Sequence, residues 1–200
     1  MSDENEFDEF DDSFEELDEA KKNLFLEVLD EQENIPVDLS RIRAVCVKIL
    51  ADSGITCGRI GVVLVDNEMI HELNRNFLKH DYPTDVISFQ VESNPEEGYL
   101  EGEVIASVEM AKQRAPEFQW GTDDELLLYV IHGLLHLVGF DDIDEKDRLV
   151  IREKERYYLR FIGVEPNDLG FDAESDPDNT PTEPDLGSYT ALYDEDAEKN

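Results

Sequence analysis

In a chain with 34% charged residues, the longest apolar run is Leu126 to Val138. It falls short of the roughly 20 residues that span a bilayer, and His132, Gly133 and His136 interrupt it. The run reads as a helix from about residue 124 to 138, capped by Thr122 or Asp123 and stopped by Gly139. Two histidines on an otherwise apolar helix are the first chemical signal in the sequence.

Charge is the second constraint. The formal net charge is −34, and it is concentrated at the ends. Residues 1–34 hold 15 acidic and 2 basic residues, and residues 165–200 hold 12 and 1. The stretch 35–164 keeps a net charge of −10. Blocks such as Asp8-Glu9-Phe10-Asp11-Asp12 repel themselves and bury little, so 1–34 and 165–200 are expected to be acidic disordered tails around a domain at 35–164. They are solubilising segments or docking arms for a basic partner. Within the first, Leu24 to Leu29 can form a short amphipathic helix. Cys46 and Cys57 are too few for a disulfide framework, and the acidic start is unlike a signal peptide. A cytoplasmic protein with reduced thiols and no membrane association is expected.

Between the tails, helical and strand patterns interleave. Asp38 or Ser40 caps a helix with Ile42, Val45, Ile49 and Leu50 on one face, and Gly54 ends it. Residues 59–65 read as a strand. Asp66 or Asn67 then starts a helix whose apolar face is Met69, Ile70, Leu73 and Phe77. Strands over 85–91 and 101–107 flank a turn at 94–98. A helix follows over about 108–116, and Asp144 opens a last one, with Leu149, Ile151, Tyr158 and Phe161 as core candidates. The class is α/β or α+β, with about five helices and a sheet of about three or four strands.

The chemistry lies in His132-Gly-Leu-Leu-His136-Leu-Val-Gly139-Phe-Asp141-Asp142. Histidines at i and i+4 share a helix face and can grip one ion. Gly139 permits a sharp turn, after which Asp142 can return a carboxylate to the same ion. Two imidazoles and a carboxylate leave at least one coordination position open, as a catalytic metal requires. Such an ion can lower the pKa of a bound water to about 7. The spacing matches the three-ligand layout of metzincin peptidases, yet the glutamate that follows their first histidine is replaced by Gly133, which disfavours that peptidase mechanism. Asp141 either orients a ligand or caps the turn. A second patch, 74–89, sets Arg75, Lys79 and His80 beside a strand bearing Thr84 and Ser88. Arg75, Lys79 and Ser88 are candidates for holding phosphates near the metal, Lys79 otherwise being a solvated charge. His80 is a weaker candidate ligand, and His71 reads as a surface residue.

Three segments together resemble the YbeY family of bacterial endoribonucleases, which are rRNA maturation factors. They are the histidine segment, Pro83-Thr84-Asp85-Val86-Ile87-Ser88-Phe89, and Gly102-Glu103-Val104-Ile105-Ala106-Ser107, in the family's order. The similarity covers roughly residues 38–163. It implies one Zn2+ per chain, held by His132, His136 and Asp142, at the mouth of a cleft in a single α+β domain. It also implies single-strand-specific RNA cleavage in 16S rRNA 3′-end maturation and ribosome biogenesis. The expected partners are rRNA and the small ribosomal subunit or its assembly factors, with no DNA.

Two departures from the family pattern stand out. Asp142 occupies the usual place of a third histidine, and a carboxylate cancels one more unit of the metal's charge, which makes a bound water less acidic. Leu78 stands where an arginine thought to contact RNA phosphate is usual. RNA binding favours a basic surface. Arg148, Arg152 and Arg156, at i, i+4 and i+8, offer one unless they pair with neighbouring acids such as Asp144 and Glu155. Two other functions remain open at this point: a non-catalytic ribosome-biogenesis binding factor with a structural metal, and a metalloprotease-like hydrolase.

Overall fold

The computed structural model describes residues 22–166. The disorder expected of 1–21 and of 167–200 concerns segments outside the described residues. The chain runs through β1 (Leu24–Asp30), α1 (Leu39–Asp52), β2 (Cys57–Val65) and α2 (Asn67–Leu73), which a π-helical turn, Asn74–Leu78, extends. It continues through β3 (Val86–Asn94), β4 (Tyr99–Ser107), α3 (Val108–Arg114), a 3-10 turn (Ala115–Phe118), α4 (Thr122–Leu137) and α5 (Glu145–Phe161). The class is α+β, one of the two that the interleaved patterns allow and the one that the resemblance implies.

The helices begin where short polar side chains can accept from free amide groups. Asp38 accepts from the N–H of Ser40 and Arg41, Asp66 from Met69, Ser107 from Met110 and Asp144 from Lys146 and Asp147. Helix α4 is the exception. Gly121 occupies its N-cap without a side-chain bond, and Thr122 and Asp123, the expected caps, lie inside the helix. Asp123, Asp124 and Glu125 in the first turn complement its dipole instead.

The sheet order is β1-β2-β4-β3. β1 and β2 are parallel, β2 and β4 are parallel, and β3 runs antiparallel to β4 with a bulge between Gln90 and Glu92. Ile60, Val62, Leu64, Val104 and Ala106 join one core with α1, α4 and α5. Val65, Ile87 and Ile105 alternate with them and cover Ile70 of α2 on the opposite face.

Helix α4 lies on the sheet with almost nothing between. A Cβ at Gly133 would sit 2.7 Å from Val104 Cγ1, 2.8 Å from Ser88 Oγ and 2.9 Å from Val86 Cγ2. A Cβ at Gly102 would sit 2.8 Å from the Phe89 carbonyl oxygen and 3.1 Å from Leu137 Cδ1. Ser88 Oγ donates to the Gly133 carbonyl oxygen at 2.9 Å, so β3 is bonded to the helix at the same point.

Three expectations are corrected. Leu24 to Leu29 is strand β1, not a tail segment or a helix, so the ordered domain begins before residue 35. Val28 is buried, and Leu24 and Leu26 lean on the core. The inward set thus recurs every second residue, a pattern that an almost wholly apolar hexapeptide hides until β2 pairs with it. On α5, Leu149 and Phe161 are exposed, while Ile151, Glu155, Tyr158 and Leu159 face inward. On α2 and its π turn, Met69 and Phe77 are also exposed, leaving Ile70 as the fully buried anchor of that face.

One acid is buried in α4 itself. Glu125 is 2% exposed. Burial pushes its carboxyl up to about 7, against the Tyr129 hydroxyl and the Arg114 guanidinium, which favour the ionised form. A carboxyl whose folded pKa lies above its unfolded value penalises folding increasingly as pH rises between the two, and fully above the folded one. Glu125→Gln is therefore expected to raise stability at pH 8 and to change it little at pH 4, as followed by urea denaturation. Gly133→Ala inserts a methyl group into occupied space and is expected to destabilise the domain by about 1–3 kcal/mol in the same measurement.

Candidate metal centre

His132 and His136 stand one turn apart on α4 beside the Gly133 contact, with side chains 25% and 29% exposed. Their rings lie edge to face, with centroids 4.5 Å apart. The helix ends in a glycine motif: Gly139 N–H donates to the His136 carbonyl and Phe140 N–H to the Leu135 carbonyl, with Gly139 at φ +96°. This reverses the chain toward the histidines. Asp141 then caps the turn, its Oδ1 accepting from the N–H of Asp142 at 2.7 Å and of Ile143 at 3.3 Å. The capping role expected as one of two for Asp141 is thus the one its hydrogen bonds serve.

Asp142 closes the cluster. His132 Nε2 and His136 Nε2 are 3.1 Å apart, and each lies 3.9 Å from an Asp142 carboxylate oxygen. Ligand atoms around a tetrahedral zinc ion, with bonds of about 2.0–2.2 Å, lie about 3.3–3.6 Å apart. The donor set and spacing therefore fit one metal ion with little movement. Among the described residues, His132, His136 and Asp142 are the group able to hold one. The Asp142 side chain is 41% exposed, so the centre opens to solvent.

The second nitrogen of His132 reveals a residue that was not singled out from the sequence for this role. His132 Nδ1 lies 2.7 Å from Glu155 Oε1, and the other Glu155 oxygen accepts from Arg152 Nη1 at 3.2 Å. Glu155 is fully buried. A carboxylate on Nδ1 places the ring proton there and leaves the Nε2 lone pair for the ion. Its signal in the sequence is a charge in an apolar register. Glu155 follows Ile151 by four residues and precedes Tyr158 and Leu159 on the inward face of α5. The same contact accounts for Arg152, one of the three stacked arginines, as a partner of Glu155.

The two rings differ electrostatically. Burial opposes a charge on His132, but the hydrogen bond and charge of Glu155, with the Asp142 and Asp85 carboxylates, outweigh it and raise its pKa. Burial and then the neighbouring His132 lower that of His136, against the Asp142 and Asp141 carboxylates. A metal ion held there would have to displace the proton on His132 Nε2, so its affinity would fall as pH falls through this raised pKa.

The other expected site residues are distributed as follows. Arg75 lies on the π turn after α2 and Lys79 caps its end, both exposed, and Lys79 Nζ donates to the Asn76 carbonyl at 2.9 Å. Ser88, expected among the substrate contacts, donates its hydroxyl to Gly133 and so anchors β3. His71 bonds Asp81 at 2.9 Å, and His80 stacks on Tyr82. Gly133 faces Val104, Ser88 and Val86, so the peptidase glutamate has no room at this position.

Comparison with known proteins shows the family to which the chain belongs. The family described as Endoribonuclease YbeY matches residues 27–163. The chain belongs to that family. An Endoribonuclease YbeY of Rhodopirellula baltica is 38% identical over 162 residues, which cover 74% of this chain and 82% of the relative. One from Carboxydothermus hydrogenoformans is 33% identical over 141 residues, covering 70% and 98%. The solution structure of TM1509 from Thermotoga maritima has the same fold, with a TM-score of 0.51 at 24% identity, covering 79% of this chain and all of that one. The family match takes in part of β1, in keeping with its place in the sheet.

Glu155→Gln keeps the size of the buried side chain and removes its charge. It is expected to lower zinc affinity about 10–100-fold in chelator competition, with the fold retained by circular dichroism.

Proposed function

We propose that this protein is a zinc-dependent, single-strand-specific endoribonuclease that matures the 3′ end of small-subunit rRNA. The observation that carries the reading is the convergence of His132 Nε2, His136 Nε2 and an Asp142 oxygen at a solvent-open point, in a chain of the YbeY family. A zinc ion held there supplies Lewis acidity toward a phosphodiester and its attacking water. The chain's own residues do the rest. Glu155 holds the His132 ring in the tautomer that offers Nε2. Asp141 and Gly139 hold Asp142 in place. Arg75 and Lys79 offer cationic groups to RNA phosphates, in place of the arginine usual at the position of Leu78, and Ser88 keeps β3 against α4.

No helix among the described residues is long and apolar enough to cross a membrane. We place the protein in the cytoplasm with rRNA and the small ribosomal subunit, or its assembly factors, as partners. The strongly acidic chain favours engagement of RNA within a particle, where other components supply cations, over tight binding of free RNA.

The test combines elemental analysis with cleavage of an end-labelled single strand spanning the 3′ end of small-subunit rRNA, with and without small-subunit particles. Wild-type protein is expected to hold about one equivalent of zinc and to cut the single strand but not its duplex. His136→Ala and Asp142→Ala are expected to lose both metal and cleavage. Zinc-loaded wild type that leaves the RNA intact in both settings overturns the reading. Metal retained by Asp142→Ala removes Asp142 from the ligand set.

A further inference from the structure

Between the π turn and β3 the chain presents an aromatic pair that the metal centre does not use. The rings of His80 and Tyr82 are stacked, with centroids 5.4 Å apart and planes 8° from parallel. Tyr82 is nonetheless 51% exposed. An aromatic pair that merely fills space is normally covered, and this one is held out into solvent.

It is also held firmly. Asn74, 1% exposed, donates its Nδ2 to the Tyr82 carbonyl at 2.8 Å. The backbone carbonyl of Asn74 accepts from His80 N–H at 3.3 Å. Between the two rings, Asp81 bonds His71 at 2.9 Å. Three bonds therefore brace a three-residue stretch whose side chains make no part of the core, and its geometry is set before any ligand arrives.

The stretch leads directly to the metal centre. Asp85 Oδ1 accepts from Thr84 Oγ1 and from Val86 N–H, and the Asp85 carbonyl accepts from Ser107 N–H at 2.8 Å. Val86 lies against Gly133, the residue next to His132. Val86 is four residues on from Tyr82, a reach of at most about 14 Å. Lys79 and Arg75 stand on the adjoining turn. A flat ring beside cations is the combination by which proteins hold single-stranded nucleic acid, since every base has a face to stack and every linkage a charge to meet.

We infer that Tyr82, backed by His80, is a stacking platform for a nucleobase of the RNA strand whose backbone reaches the His132, His136 and Asp142 centre. The inference rests on the endoribonuclease reading and extends it. The unpaired base explains how a single strand is preferred over a duplex, because a base already stacked within a helix cannot lie on Tyr82.

The test uses a hydrolysis-resistant single strand, a 2′-O-methyl phosphorothioate oligoribonucleotide carrying fluorescein at one end, and its duplex as control. Full-length zinc-loaded wild type is titrated beside Tyr82→Phe, Tyr82→Leu and Tyr82→Ala, with anisotropy as the readout. Tyr82→Phe is expected to bind within about twofold of wild type. Tyr82→Ala and Tyr82→Leu are expected to weaken single-strand binding about 5- to 100-fold and leave duplex binding unchanged. Tyr82→Leu keeps apolar bulk without a ring face, so wild-type affinity in that variant overturns the platform. Equal loss on single strand and duplex also overturns it, as does unchanged affinity in Tyr82→Ala; in both cases the nuclease reading stands if the labelled rRNA fragment is still cut. Absence of wild-type binding together with absence of cleavage removes both.

Discussion

The absence of a side chain at Gly133 is the constraint on which the site depends. Val104, Ser88 and Val86 occupy the space its Cβ would need, and Ser88 bonds its carbonyl. Helix α4 is thereby pressed onto β3 and β4, with Gly102 repeating the close approach beside Leu137. A helix seated this closely has little freedom to roll. Its flanking residues, His132 and His136, are consequently aimed at one point rather than merely placed on one side. The same contact that packs the core orients the two imidazoles.

The cost of the arrangement appears one layer out. A fully buried carboxylate is unfavourable unless it is paired and hydrogen-bonded, and Glu155 is both. It binds His132 through one oxygen and Arg152 through the other. An acid at an inward position of an otherwise amphipathic helix is thus accounted for by the ring it orients. Helix α5, whose arginines read in the sequence as a basic face, also contributes the buried group bonded to His132 Nδ1.

Charge and function are reconciled by position. The domain between the acidic ends keeps an excess of acids, yet the groups suited to RNA gather locally. Arg75 and Lys79 lie on the turn after α2, and the braced His80–Tyr82 stack lies between that turn and β3. Stacking does not depend on net charge in the way that phosphate binding does. A chain this acidic therefore has reason to use an aromatic face where a basic one would be expected.

Much was legible in the sequence because it was local. The i,i+4 histidines, the turn glycine and the returning Asp142 lie within eleven consecutive positions, and helix geometry alone brings them near one another. The caps at Asp38, Asp66 and Asp144 and the strand cores of β2, β3 and β4 were legible for the same reason. What was not legible was long-range. Leu24 to Leu29 is apolar enough for either a helix or a strand, and only pairing with β2 across some 30 residues decides it. Glu155 lies 23 residues from His132, and nothing between them announces the contact. Leu149 and Phe161 are apolar but outward-facing, because the rotation of α5 is set by its seat against α1 and α4 rather than by its composition. The sequence by itself singled out His132, His136 and Asp142 as a candidate metal-binding group and showed helices and strands interleaved, since both follow from short-range spacing. The tertiary structure alone decided the orienting acid, the edge strand and the reason for Gly133, because each depends on atoms that only folding brings into contact.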